Sequence, residues 1–423
     1  MKYLIADLKR FIKDCKSEDF AFYMASAYLI FSYLRPQTIY TVLDILPWTQ
    51  LSIVCGLIFL LIKSRIKVQK PHIAVFIFFL VALASCFTSQ YPDFSFKKVN
   101  VVYIWLVEIF FFTNCIRSPK QYWLITVLLF LILFKISLFG ARTWIQRGFG
   151  FRDYGIAGPE GFFANSGELS LLMAMLVVMS ISFISGHERV NKWYYILPVT
   201  AIMTVLAASS RGGQLAMAGG LLMIGVTIGK LRIRNILVLC IVAFIGFSLI
   251  PEKQKERFTT MGDDDTSKSR ILYWKAGLEM LEEYPFLGTG YYTFPLYFKD
   301  HYSFEMDQSS YLGQRSEVAH NSLIQTASTM GYTGLVVYLY LQYLCYSINR
   351  DSRKRLETLG ESNEKIRWMY KYSKGLDAAI VTYFIGAFFM SVAFYPYIYL
   401  LLQLTQSMNN SIREAEKSIQ LHD

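Results

Sequence analysis

The chain has 423 residues, of which 54% are hydrophobic and 17% are charged. A soluble chain of this length carries about 25% charged residues, so the composition excludes an ordinary soluble enzyme and favours an integral membrane protein. The net charge of +11 would suit nucleic acid, but most basic residues lie in short links between apolar runs, so we expect membrane lipids and no nucleic acid as partners.

The first predicted element is an amphipathic helix within residues 1–19, which are too charged for a signal peptide and should lie on the cytoplasmic membrane surface. The apolar runs that follow approach the roughly 20 residues that cross a bilayer, where only a helix satisfies its own backbone hydrogen bonds. We therefore predict an all-α polytopic membrane protein. About twelve membrane-spanning helices are expected near residues 20–35, 45–62, 73–88, 100–116, 121–141, 167–185, 193–208, 213–229, 234–250, 322–348, 376–393 and 395–408.

The links between these helices predict their orientation. Every second link is basic, as in KSRIKVQK at 63–70, and basic links remain on the cytoplasmic side. Both termini are therefore predicted to be cytoplasmic. The predicted organisation is a bundle of about nine spans at 20–250, a large outer loop at 251–321, a bundle of about three spans at 322–408 with a basic cytoplasmic loop at 350–374, and a cytoplasmic tail at 409–423.

The outer loop at 251–321 is too long for a simple connection, because loops beyond roughly 15 residues are usually functional or separately folded. Capping Ser and Thr residues followed by apolar residues at helical spacing predict a helix over 266–283, lying on the outer membrane surface. The Gly-rich turn YPFLGTG and an aromatic stretch from Tyr291 to Tyr302 follow it.

His320 is the first candidate for chemistry, because it lies where the outer loop re-enters the membrane. There a neutral imidazole could face a cleft at the headgroup level and accept a proton. The structural alternative is an interfacial or helix-capping histidine, and position alone favours that alternative.

Two arginines are candidates for binding an anion on the same outer side. Arg211 lies in the tight SSRGG turn between two apolar runs, where a guanidinium is costly unless it binds an anion. Arg270 lies in the first turn of the predicted surface helix, whose N–H groups would also favour phosphate. Each could instead extend towards lipid headgroups. Together with His320 they form a plausible site for cleaving an ester of a lipid pyrophosphate.

Other charged groups have weaker signals. Arg152 and Arg315 add positive charge on the same side and could support the site, although headgroup contacts explain them as well. Glu108 lies within the fourth predicted span, where a charge is functional by default. We interpret the acidic run at 263–265 as a solvated turn and not as a site for a divalent metal. The six cysteines do not have the spacing of metal ligands. We therefore expect no metal and no cofactor.

Four segments resemble the landmarks of one family, in the expected order along residues 150 to 345. His320 and Asn321, nine residues, Gly331, two residues and Gly334 are similar to the signature of the bacterial O-antigen ligase and polymerase superfamily. SSRGG around Arg211, and SRILYWKAG with PFLGTGYYTF around Arg270, are similar to its other landmarks. The segment GPEGFFANSGELSLL precedes them.

The resemblance implies a GT-C-like glycosyltransferase in the bacterial inner membrane, with its active site on the periplasmic side. It would transfer a glycan from undecaprenyl pyrophosphate to an acceptor hydroxyl, with inversion and without a metal. By motif, His320 would be the base, Arg211 and Arg270 the pyrophosphate ligands, and Asn321 a supporting residue. The spacing between His320 and the glycines that follow it favours a ligase that uses lipid A-core as acceptor.

Several alternatives remain open at this stage. A polymerase that extends lipid-linked glycan is the nearest, and the spacing of GPEGFFANSGEL also resembles exosortase-associated O-glycosylation ligases, which points to a protein acceptor. A transporter of lipid-linked glycans would have charges near the membrane midplane and internal repeats. A scaffold for envelope assembly would need none of the three site residues.

Overall fold

The computed structural model of the protein describes residues 2–150, 155–187, 190–228, 265–303, 317–359 and 364–420. These residues form helices and connecting turns, and the described ranges contain no strand. The principal helices are α1 (Lys2–Cys15), α2 (Phe20–Leu29, continued by a π-helical turn Ile30–Leu34), α3 (Trp48–Ile62), α4 (Lys70–Phe87), α5 (Asn100–Cys115), α6 (Pro119–Gln146), α7 (Ser166–Ser185), α8 (Ile196–Ala207), α9 (Arg211–Thr227), α10 (Asp265–Glu283), α11 (Phe294–His301), α12 (Ser322–Thr358), α13 (Glu364–Ala387) and α14 (Pro396–Gln420).

Five helical segments in the described ranges are long and apolar enough to cross a membrane, as expected for a membrane protein. Large apolar side chains on their surfaces are exposed, for example Ile62 at 74% and Phe87 at 72%. The predicted total of about twelve spans stays a prediction, and the span predicted at 234–250 lies outside the described residues. The five segments are Thr41–Ile62, Lys70–Phe87, Pro92–Cys115, Pro119–Gln146 and Ser166–Ser185; Phe20–Leu34 and Lys192–Ala207 are shorter apolar helices.

The centre of the bundle is α7, which packs against α9 and α13. Its side chains from Leu169 to Ser180 are buried. Small residues bring the helices close together: a Cβ on Gly213 would lie 2.0 Å from the Ser170 hydroxyl oxygen. Close backbone approach at small residues is the usual basis of helix packing in membranes, where no hydrophobic effect drives helices together.

α12 and α14 run beyond their predicted spans of 322–348 and 395–408, whereas α13 begins before its predicted span of 376–393 and ends at Ala387, short of the predicted end. The extensions are polar, so a pattern of apolar residues does not detect them. Charged side chains join them: the Asp351 carboxylate accepts hydrogen bonds from Arg355 at 3.1 Å, Asn409 at 3.0 Å and Arg413 at 3.3 Å.

α12 contains a kink at Gly331, which has φ 66° and ψ −170°. Only glycine adopts this conformation readily. The Gly-rich turn after α10 packs into the kink, where Tyr332 N–H donates to the Pro285 carbonyl at 2.7 Å. A Cβ on Gly331 would lie 2.3 Å from the carbonyl carbon of Phe286. The kink therefore fixes α10 against the first half of α12.

Candidate active site

His320 immediately precedes α12 and has a left-handed backbone, with φ 52°. Asn321 caps the helix, because its side-chain oxygen accepts from the N–H groups of Leu323 at 2.9 Å and Ile324 at 3.2 Å. The backbone reversal at His320 turns the chain out of the helix axis, and its side chain remains 26% exposed. The imidazole is thus held at a helix start and is accessible to solvent.

Glu317 is a partner of His320 that sequence reasoning missed. Its Oε2 lies 3.0 Å from His320 Nε2. Because a carboxylate can only accept, Nε2 carries the hydrogen and Nδ1 is the nitrogen that can accept a proton. The i, i+3 spacing of an acid and a histidine beside a helix start was a readable signal for this pair.

α10 forms one wall of the site. The ring centroids of Tyr273 and His320 are 6.3 Å apart, and the Trp274 indole N–H donates to the Ala319 carbonyl at 3.0 Å. Burial and the Glu317 carboxylate raise the pKa of the Tyr273 phenol to about 12, so the phenol stays neutral near pH 7. Arg270 lies one helical turn before this pair on the same face of α10.

The turn between α13 and α14 joins α12 to the other helices of the site. The Ser322 hydroxyl donates to the Met390 carbonyl at 2.7 Å and accepts from Val392 N–H at 2.8 Å. On the same turn, the rings of Phe388 and Trp274 are 5.7 Å apart. The residues 388–392, called the junction turn here, therefore contact both α10 and the start of α12.

Arg211 is the first helical residue of α9, whereas a tight turn was predicted over 209–213. The turn is shorter because Ser209 is left-handed, with φ 52°, and the Ser210 hydroxyl caps the helix by accepting from Gly213 N–H at 3.3 Å. A Cβ on Gly212 would lie 2.8 Å from the Phe389 Cβ, so α9 begins directly beside the junction turn.

α7 also begins at this place, since a Cβ on Gly167 would lie 3.6 Å from the Met390 sulfur and 3.7 Å from the Ser210 hydroxyl. The N-termini of α7, α9 and α12 therefore surround the junction turn. Each helix N-terminus carries about half a positive charge on its free N–H groups. The first turn of α7 also carries the acidic Glu168, but the three N-termini and the Arg211 guanidinium together make a setting suited to an anion.

The structure thus brings His320, Arg211 and the helix of Arg270 to the same junction turn. Asn321 is 1% exposed and caps α12, so any support it gives to the site comes through the backbone. Arg152 and Arg315 lie outside the described residues. Within the described ranges, no three His, Cys, Asp or Glu side chains are grouped as metal ligands would be.

Comparison with known families supports the resemblance noted in the sequence. Residues 196–339 match a family model described as O-antigen ligase. The matched stretch begins at α8 and ends within α12, so it contains Arg211, Arg270 and His320. No curated protein matches the chain. This match supports the resemblance of residues 196–339 to the O-antigen ligase superfamily.

Proposed function

We propose that this protein is a glycosyltransferase of the O-antigen ligase type, which transfers a glycan from undecaprenyl pyrophosphate to a hydroxyl of lipid A-core at the periplasmic face of the inner membrane. The observation that supports it most is the convergence of a histidine–glutamate pair and three helix N-termini, one of which begins with Arg211, on the junction turn. This arrangement offers a proton acceptor and an anion site side by side.

The proposed reaction begins at His320. Nδ1 takes the proton of the acceptor hydroxyl while Nε2 donates to Glu317, and the hydroxyl oxygen attacks C1 of the first sugar of the donor. The C1–O bond to pyrophosphate breaks, and undecaprenyl pyrophosphate leaves with the bonding electrons. Attack opposite the leaving group inverts the configuration at C1. General-base assistance of this kind is typically worth 10²- to 10⁴-fold in rate.

In this proposal, Arg211 and Arg270 stabilise the leaving pyrophosphate. The leaving pyrophosphate gains negative charge as the C1–O bond breaks, and preorganised donors at the position of developing charge lower the barrier. Removing one such donor typically costs about 10²- to 10³-fold in rate. Guanidinium groups suit this role, because their planar donors bind phosphate oxygens in pairs.

The experiment that tests this proposal is transfer by the purified protein in nanodiscs from undecaprenyl-pyrophosphate glycan, with three acceptors offered separately. Glycan attached to lipid A-core supports the ligase. A ladder of lengthening lipid-linked glycan would instead identify a polymerase, and glycan on a protein acceptor would identify a protein O-glycosylation ligase. No transfer to any acceptor, with movement of labelled carrier across proteoliposomes, would replace the enzyme by a transporter.

A further inference from the structure

A cavity lies beside the site, lined by α2 with the turn that follows it, by α3, by α5, by the segment that precedes α7 and by the start of α14. Its volume is about 280 Å³. Aromatic rings and hydrogen-bonding side chains line it together, which is unusual for a surface that faces lipid. The lining includes Phe31, Ser32, Arg35, Gln37, Trp105 and Glu108.

The aromatic walls of this cavity are held rigidly. The Phe31 ring stacks on Trp48 at 5.3 Å, with 14° between the planes. The Trp105 ring stacks on Tyr399 at 5.1 Å with 10° between the planes, and its centroid is 5.1 Å from that of Phe162. Fixed flat rings offer an apolar face to a ligand at little cost in conformational entropy.

The polar wall has hydrogen-bonding capacity that the protein does not use. Among the described residues, neither the buried hydroxyl oxygen of Ser32 nor the buried amide oxygen of Gln37 has a hydrogen-bond partner. Glu108 is only 4% exposed, and one of its oxygens accepts from the Tyr28 hydroxyl at 2.7 Å. A carboxyl group placed within a span is costly and usually has a function.

We propose that this cavity is a carbohydrate subsite that holds a neutral sugar ring of the glycan substrates. A lipid tail would leave the oxygens of Ser32 and Gln37 without partners and would place apolar atoms against the carboxyl group of Glu108. Arg35 also lines the cavity, but its guanidinium already donates to the Glu160 carbonyl, and a phosphate headgroup would also meet the carboxyl group of Glu108. A sugar ring suits both walls, because its C–H face stacks on the aromatic rings and its hydroxyls bond to polar side chains of the lining such as Gln50 and Glu108.

The cavity is close enough to the catalytic site to hold the same glycan chain. The Trp105 indole N–H donates to the Phe394 carbonyl at 3.0 Å, two residues beyond Val392, whose N–H donates to Ser322. Three residues of chain reach at most about 11 Å, so the Trp105 nitrogen lies within about 17 Å of the Ser322 hydroxyl. The assignment to glycan substrates rests on the proposed function.

Binding to the full-length protein in nanodiscs tests the subsite, with three soluble probes and saturation-transfer NMR. The probes are the oligosaccharide released from the lipid-linked donor, the deacylated core oligosaccharide, and glycerophosphate as a headgroup. The variants Gln50→Ala and Phe162→Ala alter exposed positions of the cavity rim, and Tyr40→Ala alters an exposed aromatic outside it. Unfolding temperatures of all variants are measured alongside.

We expect one oligosaccharide to bind, with a Kd raised about tenfold or more by Gln50→Ala and by Phe162→Ala. Tyr40→Ala should leave that Kd unchanged, and the oligosaccharide that binds shows whether the subsite holds the donor or the acceptor. Equal binding to wild type and rim variants, no binding of either oligosaccharide, or equal binding of glycerophosphate would overturn the subsite. Sugar binding without any transfer would instead contradict the proposed function and leave the subsite standing.

Discussion

The Glu317–His320 pair leads to the sharpest prediction about catalysis. Replacing Glu317 by Ala removes the acceptor that holds Nε2, so the imidazole can rotate and Nδ1 loses its fixed direction. His320 itself is already constrained by its left-handed backbone and by the helix cap at Asn321. The substitution should therefore disturb the side chain of the base and leave the fold around it intact.

The size of the effect follows from the exposure of the pair. A buried hydrogen bond to a charged group contributes about 1.5–3 kcal/mol, whereas an exposed ion pair contributes below about 1 kcal/mol. Glu317 is 32% exposed and His320 26% exposed, which places the pair between these limits. We expect a loss of about 1–2 kcal/mol, or about 5- to 30-fold in kcat.

The assay is steady-state transfer of glycan by the variant in nanodiscs. Because Glu317 acts through His320 and does not touch substrate, kcat should fall while KM stays constant. Glu317→Gln keeps an acceptor without the charge and should cost only about threefold. Glu282→Ala, which removes an exposed carboxylate of α10, is the control and should behave as wild type. An unchanged kcat for Glu317→Ala, or a raised KM alone, would refute this positioning role.

Two further predictions concern stability. Gly331→Ala places a Cβ against the backbone of Phe286 in a conformation that only glycine adopts readily, so it should destabilise the protein by about 3 kcal/mol or more. Gly148→Ala is the control, because Gly148 also has a positive φ but a Cβ there would meet no other atom. It should lower the free energy of unfolding, measured by chemical denaturation, by about 1 kcal/mol. The second prediction concerns the pKa of Asp351. Burial raises this pKa, but hydrogen bonds from Asn409, Arg355 and Arg413 lower it by more and hold it below its ordinary value. The carboxylate therefore stabilises the fold above about pH 4, by less than about 1 kcal/mol because it is 43% exposed, and this contribution disappears as pH falls through the lowered pKa. Unfolding temperatures of wild type and Asp351→Asn should thus converge on acidification, and a gap that widens would contradict this.

Local signals predicted the helices of the site well. The expected helix over 266–283 differs by one residue from the observed Asp265–Glu283, because capping and apolar spacing are properties of neighbouring residues. The match over 196–339 supports the family resemblance, whereas the assignment of Arg211, Arg270 and His320 to one site stays a prediction. The division of the chain at residues 250 and 321 stays a prediction.

The remaining features depend on contacts between distant segments, which sequence spacing does not reveal. The junction turn was expected to be part of membrane spans, yet Met390 and Val392 meet Ser322 about seventy residues away in sequence. The need for glycine at position 331 also depends on packing between distant segments. Its left-handed conformation is required because the turn after α10 packs into the kink of α12. The sugar-sized cavity needs five separate segments to form its walls.

The most direct test of the central claim compares two cations of α10 in single-turnover transfer from undecaprenyl-pyrophosphate glycan. Arg270 lies on the face that carries Tyr273, while Lys275 is 65% exposed and pairs with Glu279. Arg270→Ala should lower the rate by about 10²-fold, as should His320→Ala, and Lys275→Ala should leave it unchanged. Wild-type rates for Arg270→Ala and His320→Ala, or an equal loss for Lys275→Ala, would contradict a single site of base and arginines at the junction turn.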